Sequence, residues 1–369
     1  MDLLIAFAKC LVSLLIVLQV GVILLWVERK GSALIQDRVG ANRANIFGGI
    51  LPFNLGIVNT LMADPVKLFH KEDIVPEGAD HFLHWLAPFL ALFPLFLTYA
   101  VIPFGDVLVI GDTTINLQAV ELNVGILFVL AMVSLGVYGV VLGGWASNSR
   151  YALLGGVRGS AQMISYEIAM GLALVAVVLT YGTLDLQAIV RAQGDLMWGV
   201  IPAWGVFYQP LALVILFIAG MAESKRAPFD LPEAESELIA GFFTEYSGSK
   251  QSVFMMADFV EVAIVAALVT TLFFGGWQVP YLYRDGFHFP GGFSIAVPSL
   301  LVTVLQVLSF LVKLFLFCWF QILVRWSLPR LRYDQLMDLG WKRLLPYALA
   351  NLAVSAVLIL LLQGWTVRS

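Results

Sequence analysis

The chain has 369 residues, 60% of them hydrophobic and only 12% charged, with a mean hydropathy of +0.90. Soluble domains carry about 25% charged residues, so a water-soluble globule is excluded and a polytopic membrane protein is expected. A net charge of −4 is no signature of a nucleic-acid partner, and the two cysteines, Cys10 and Cys318, suit no disulfide framework, zinc site or iron–sulfur cluster.

In chain order, the first apolar run is 3–27. It opens on Asp2 rather than a base, exceeds an h-region, and ends in Glu28-Arg29-Lys30 without a small-residue cleavage motif, so it predicts a retained span, not a cleaved signal peptide. The following stretch, 28–81, is too long for a turn. Within it, 46–69 is moderately apolar, is interrupted by Asp64-Pro-Val-Lys67, and predicts one or two interfacial amphipathic helices. A ninth span there would break the charge alternation described below. Seven further spans are predicted near 82–103, 124–145, 161–182, 203–222, 253–277, 299–324 and 343–363, each close to the roughly 20 residues a bilayer requires. Pro88, Pro94 and Pro103 predict a kink in the second. His81-x-x-His84 lacks carboxylate or cysteine support for a metal and reads as structural. No internal repeat or paired halves of the transporter kind are visible. The expected fold is all-α: one transmembrane domain over 1–369 with eight spans.

Basic residues orient it. Loops 28–81, 146–160, 223–252 and 325–343 hold sixteen of the 21 lysines and arginines, against Arg191, Arg284 and Arg368 in the intervening loops and C-terminus. The bias predicts that the first set is cytoplasmic and that both termini lie outside.

The stretch Glu223–Tyr246 is where the charge concentrates. It contains Glu223, Asp230, Glu233, Glu235, Glu237 and Glu245 against Lys225 and Arg226, wedged between the apolar runs 210–222 and 253–277. Pro228 and Pro232 break any helix leaving the preceding span, and Pro232-Glu233 suits a new helix start with acids near the positive dipole end. Glu233 and Glu237, four apart, would share a face and repel by about 0.2–0.5 kcal/mol in water, raising the pKa of at least one. The bland alternative is a solvated loop. Within the spans, Glu167, Asp258, Glu261 and Lys313 each cost on the order of 2.5–3.5 kcal/mol to insert. They mark either a proton path or a structural ion pair, for example Lys313 neutralising one carboxylate. Joined to the cytoplasmic acids, Glu167 and Asp258 would complete a row of carboxylates from surface to mid-membrane, as a proton relay requires. No nucleophile triad, phosphate loop or nucleotide fingerprint accompanies them.

Several long motifs, in order, carry a resemblance. Glu223-Ser-Lys-Arg-Ala-Pro-Phe-Asp-Leu-Pro-Glu-Ala-Glu-Ser-Glu-Leu238 closely resembles the signature loop of the membrane H-subunit family of NADH:quinone oxidoreductase (respiratory complex I), called subunit 1 in mitochondria. Val27-Glu-Arg-Lys30 with Gln36-Asp-Arg-Val-Gly-Ala-Asn-Arg43 resembles that family's first loop, and Ala63-Asp-Pro-Val-Lys-Leu68 with Lys71-Glu72 its surface helix. Arg158-Gly-Ser-Ala-Gln-Met-Ile-Ser-Tyr-Glu167 resembles its fourth span. Leu328-Pro-Arg-Leu-Arg-Tyr-Asp-Gln-Leu-Met337 with Gly340-Trp-Lys342 resembles its last loop.

The resemblance implies a subunit at the heel of the complex, forming the membrane end of the quinone chamber and starting the route from quinone reduction to proton pumping. Residue by residue it implies that Glu167, Glu223, Asp230, Glu233, Glu235, Glu237 and Glu245 are coupling carboxylates, to which the reading of the spans adds Asp258 as part of the relay. Glu28, Arg29, Asp64 and Phe229 fall at or near the quinone cavity, with Lys67 of the surface-helix motif placed beside them. It further implies ubiquinone or menaquinone as substrate, with no metal or iron–sulfur cluster held by this chain. The implied partners are the peripheral-arm quinone-site subunits, the small membrane-arm subunits and membrane lipid, and the implied location is a bacterial inner membrane rather than the mitochondrial one. Alternatives are the membrane subunit of a related proton-pumping hydrogenase, or a free-standing proton-coupled transporter. Three positions depart from the family pattern: Asp258 stands where Glu is usual, with Glu261 near enough to compensate; Ala41 stands in place of Pro; Asn59-Thr60 replaces Gln-Pro.

Overall fold

The computed structural model describes residues 2–40, 64–110, 113–197, 200–233, 235–290 and 293–362. Ala41, Asn59, Thr60 and most of the expected surface helices (46–63) lie outside the described residues. Helix α1 (Asp2–Ile35) is followed by a short α2 (64–70), the described end of that surface segment. Then come α3 (His81–Tyr99), a hairpin of β1 (Val107–Ile110) and β2 (Thr113–Asn116), α4 (Gly125–Ala146), α5 (Arg150–Tyr181) and α6 (Leu186–Ala192). A second small hairpin, β3 (Leu196–Met197) with β4 (Ile201–Pro202), leads to α7 (Gly205–Tyr208), α8 (Pro210–Glu223), α9 (Glu235–Leu238) and α10 (Gly248–Phe273). The chain ends with the antiparallel strands β5 (Leu282–Tyr283), β6 (Gly286–His288) and β7 (Ser294–Ala296), then α11 (Ser299–Ser327), α12 (Tyr333–Asp338) and α13 (Leu345–Leu362), the last two joined by a wide helical turn at Leu339–Leu344.

Among the described residues, seven helices are long and apolar enough to cross a membrane, and α8 is shorter. The predicted span 203–222 is therefore interrupted. Gln209 leaves helical geometry (φ −133, ψ 56) between α7 and α8, and Pro210 opens α8 at the first-turn position proline tolerates. The side-chain amide of Gln209 is satisfied inside the protein, donating to Thr180 (3.0 Å) and Ser355 (2.9 Å) and accepting from Asn351 (3.2 Å). Polar groups beside non-helical backbone at membrane depth must find such internal partners. α3 runs unbroken through Pro88 and Pro94; Asp80 caps it by accepting from the Leu83 N–H. The strands have no counterpart in the sequence-based expectation. They are short hairpins in the loops after α3, α6 and α10, all at one end of the helices.

Helix α10 is the axis of the packing. Every residue from Ala257 to Phe273 is buried, Asp258 and Glu261 included. α3, α8, α11 and α1 pack around it. α4 bridges α3 and α5 through small residues: a Cβ on Gly139 would stand 2.5 Å from the Ala91 nitrogen, so only glycine allows that approach.

Among the described residues, Lys313 is paired with no carboxylate. Its Nζ donates to the carbonyls of Phe274 (2.9 Å), Gly276 (3.0 Å) and Gln278 (2.6 Å), just past the C-terminus of α10. Carbonyls at a helix end have no intrahelical partners, and a cation there also meets the negative end of the dipole. Of the histidine pair, His84 is buried and stacked on Tyr246 at 4.0 Å, a packing role.

Candidate functional site

Where α8 ends, the chain makes a tight turn that places Lys225 in the left-handed region (φ 53). Such a conformation costs a non-glycine residue on the order of 1 kcal/mol or more and persists only where its surroundings fix it. Here they do. Lys225 Nζ lies 3.1 Å from Asp258 and 3.0 Å from Glu261, which sit a turn apart on α10. All three are buried, Lys225 to 2%, Asp258 and Glu261 to 4% exposure. The aspartate that departs from the family pattern therefore still reaches the shared cation, and Glu261 joins it. Burial opposes the Lys225 ammonium, but Glu261 and Asp258 outweigh it and hold its pKa above the ordinary lysine value.

Gln162 on α5 clips both sides of this turn, its amide donating to the carbonyls of Ala222 and Phe229, each at 2.7 Å. Gly241 (φ +61) lets the returning chain press on the acidic loop; a Cβ there would collide with the Pro232 carbonyl. Gln162 lies inside the Arg158–Glu167 motif, but the motif does not show that its amide meets these two carbonyls.

The next acids follow outward. Arg226 is ion-paired with Glu28 of α1, which also holds Arg325 at 2.6 Å. Asp230 is paired with Arg330 at 2.6 Å. Burial nevertheless pushes Asp230 up to about 6, with Arg330 and Arg325 pulling the other way and Asp258 adding to the rise. Half-buried Glu233 is raised well above the carboxylate range by desolvation, then by Asp258 and Asp230, and the cations acting on it, Arg226 and Arg325, are shared with other acids. Inward, Glu223 is 2% exposed and neither carboxylate oxygen finds a hydrogen-bond partner among the described residues. The charges acting on it are Glu261, Glu167 and Lys225. Glu167 on α5 accepts a hydrogen bond from Ser134 of α4.

The structure thus brings Asp230, Glu233, Asp258, Glu223 and Glu167 together with Glu261; the alternative of a solvated loop fails for the buried Glu223 and Asp230, while Asp258 and Glu261 form an ion pair with Lys225 in place of the one expected of Lys313. It does not gather all the sequence-derived acids. Glu237 is exposed and paired with Arg158 at 2.6 Å. Glu245 is half-buried, next in the chain to the Tyr246–His84 stack. Glu235 opens α9. The counter-ions Lys225, Arg226, Arg325 and Arg330 are visible in the sequence only as loop charge; their spacing along the chain gives no sign of their partners.

Beside the row lies a cleft of about 290 Å³ between α1, α2 and α10. Gly21, Val22 and Leu25 of α1, Pro65 and Leu68 of α2, and Met255, Met256 and Phe259 of α10 form its apolar walls. Arg29, Asp64, Lys67, Lys71, Gln251 and Ser252 supply its polar groups. Arg29 and Asp64 are paired across it at 2.5 Å. Of the residues expected at a quinone cavity, Arg29, Asp64 and Lys67 line this cleft. Glu28 points from α1 to Arg226 and Arg325 instead, and Phe229 is buried edge-on against Tyr166 at 5.6 Å, away from the cleft wall. The guanidinium of Arg226 sits 3.8 Å from the centroid of the Phe259 ring, so one arginine touches both the cleft wall and the charged row.

The NADH dehydrogenase family matches residues 8–356. The NADH-quinone oxidoreductase H subunit 1 of Geobacter metallireducens is 45% identical over 361 residues, 98% of each chain. The protein of the same name from Cytophaga hutchinsonii is 44% identical over 336 residues, 91% of each chain. The Rhodothermus marinus NADH-quinone oxidoreductase subunit 8 is 44% identical over 337 residues, again 91% of each. A multi-pass chain whose match to that family runs almost from end to end belongs to the NADH dehydrogenase family.

Proposed function

We propose that this chain is the membrane H subunit of a proton-pumping NADH:quinone oxidoreductase, acting within a complex of peripheral-arm and small membrane-arm subunits. In this reading the α1–α2–α10 cleft admits a quinone and the buried carboxylate row carries its reduction onward as proton movement. The relatives' names support the assembly. The observation that carries the mechanism is Arg226, shared between the Phe259 wall of the cleft and Glu28.

The cleft suits a flat, weakly polar ring on a long apolar tail. Its methionine and aromatic walls take the carbon skeleton, and Arg29, Lys67 and Lys71 offer donors to carbonyl oxygens at one rim. Two-electron reduction of a quinone puts negative charge on those oxygens before protons arrive. A unit charge about 4 Å from another is worth about 4 kcal/mol at an effective dielectric near 20, which corresponds to about three pKa units. Charge drawn toward the cleft weakens the hold of Arg226 on Glu233, whose carboxyl, already raised by burial, then takes up a proton. Glu261, Glu223 and Glu167 continue the row into the membrane. The excess of basic residues in the loops on the acidic side supports a cytoplasmic position for that side in a bacterial cell, with both termini outside the inner membrane.

The test is Glu223→Gln in the assembled complex. NADH:quinone activity coupled to proton uptake should fall about tenfold or more while the peripheral arm stays attached, since one side chain of the row can no longer carry a proton. Full coupled activity would remove Glu223 from the path. Purified complex that oxidises NADH with a quinone also separates this reading from a hydrogenase-type membrane subunit and from a free-standing transporter.

A further inference from the structure

A small internal cavity of about 10 Å³ lies between the turn after α8, α10 and α11, lined by Met221, Ser224, Arg226, Val262, Gln321, Ile322 and Arg325. That is about the smallest space that accommodates the centre of one water molecule. Two of its lining groups are buried and find no hydrogen-bond partner among the described residues: the Arg226 Nε, a donor, and the Gln321 Oε1, an acceptor. Gln321 is 4% exposed, and its amide nitrogen is already fixed, donating to the Val262 carbonyl at 3.0 Å. That bond leaves the oxygen as the free end of the side chain. Two residues that line the same small space thus carry an unpaired donor and an unpaired acceptor.

We propose that this cavity holds a structural water that accepts from Arg226 Nε–H and donates to Gln321 Oε1, making Gln321 a positioning residue for Arg226. The arginine is then held from three directions: by Glu28 on its terminal nitrogen, by the Phe259 ring under its plane, and by the water on Nε. The Nε contact alone reaches Gln321 of α11, so it fixes the tilt of the guanidinium over the cleft wall. The role in quinone binding rests on the function proposed above; the water itself does not.

Two measurements on the whole detergent-solubilised complex separate these. A map that resolves ordered water elsewhere in the membrane arm should show density bridging Arg226 and Gln321, and Gln321→Leu should lose it. No density in wild type, or a direct Arg226–Gln321 contact, overturns the proposal whatever the activity. With Gln321→Leu, the KM for quinone should rise about three- to tenfold, the effect of one lost hydrogen bond of ordinary net strength, with kcat changed less than about twofold. Gln321→Met, close to glutamine in length but without a strong acceptor, should raise the KM to the same extent as Gln321→Leu. Bridging density in wild type with an unaltered KM in Gln321→Leu overturns the positioning role. If the complex proves not to reduce quinone at all, the proposed function fails and the density result stands by itself.

Discussion

Both ends of this helix bundle bury carboxylates, and they treat them in opposite ways. At the strand-bearing end, one acid has a surplus of partners. Asp106 receives Arg191 through Nε (3.0 Å) and Nη2 (2.8 Å) on one oxygen and Arg284 through Nε (3.0 Å) and Nη2 (2.9 Å) on the other. Gln187 adds a bond at 3.3 Å, and Gln306 accepts from the Asp106 backbone N–H. At the other end, acids outnumber partners. Asp258 and Glu261 share one lysine, Glu233 shares its arginines with other acids, and Glu223 has no hydrogen-bond partner among the described residues. A carboxylate with more donors than it needs acts as a clasp, here tying the loops after α3 and α10 to helix α6. Carboxylates competing for too few cations change protonation when a nearby charge moves. The contrast separates a structural role from a titrating one without appeal to any relative.

The largest effect should come from removing the cation that the titrating end shares. Lys225→Met leaves two carboxylates at 4% exposure without their counter-ion. Breaking a buried pair from one side costs about 3–5 kcal/mol, so the variant should assemble poorly, seen as loss of intact complex on native gels. Adding Asp258→Asn removes one of the stranded charges and should recover part of the assembly. If Lys225→Met assembles normally, the row is not held as described.

The strand-bearing end should answer differently. Asp106→Asn removes the charge that both arginines meet, and hydrogen bonds to charged groups are worth about 1.5–3 kcal/mol. Arg284 is largely exposed, so the loss should fall toward the lower value. The melting temperature should drop while NADH:quinone turnover and proton uptake per complex stay at wild-type values. A coupling defect in this variant would erase the distinction between the two ends.

The sequence makes one end far more legible than the other. The long apolar runs reveal the helices, because a bilayer imposes its length on any segment that crosses it. The acidic stretch stands out because such charge between spans is expensive. What the sequence does not display is pairing across distance. Asp106, Arg191 and Arg284 are each unremarkable in their own loops and meet only through the tertiary fold. Gln209 looks like a flaw in a span until Thr180, Asn351 and Ser355 close around it. Lys313, as an isolated membrane cation, suggests a carboxylate partner, whereas carbonyls at the end of α10 serve it as well. Phe229 and Glu28 match motif positions near a cavity, yet their side chains turn to Tyr166 and to the arginines. A motif fixes which residues recur, and the direction each side chain takes depends on packing neighbours far along the chain.

The finest test of the contrast lies at the edge of the titrating row, where Asp230 has a good partner and is still pushed up to about 6 by burial. Its folded pKa exceeds that of a free aspartate, about 3.9. The sign then follows from linkage: the stability this group contributes is fully present below about pH 4 and is lost as pH rises through about 6, because the folded protein prefers the protonated form. Asp230→Asn, which imitates that form, should therefore raise the melting temperature at pH 7.5, the opposite sign to Lys225→Met. Function should behave otherwise. If the ionised carboxylate is what passes protons to Glu233 and Asp258, wild-type coupled turnover falls with a one-proton step centred near pH 6 as the medium is acidified. The asparagine variant should run near the low-pH level throughout, with no step between about pH 5 and pH 7. A variant that keeps the step assigns it to another group in the row. A variant with wild-type turnover at neutral pH places Asp230 with Asp106, among the carboxylates that hold the protein together and carry nothing.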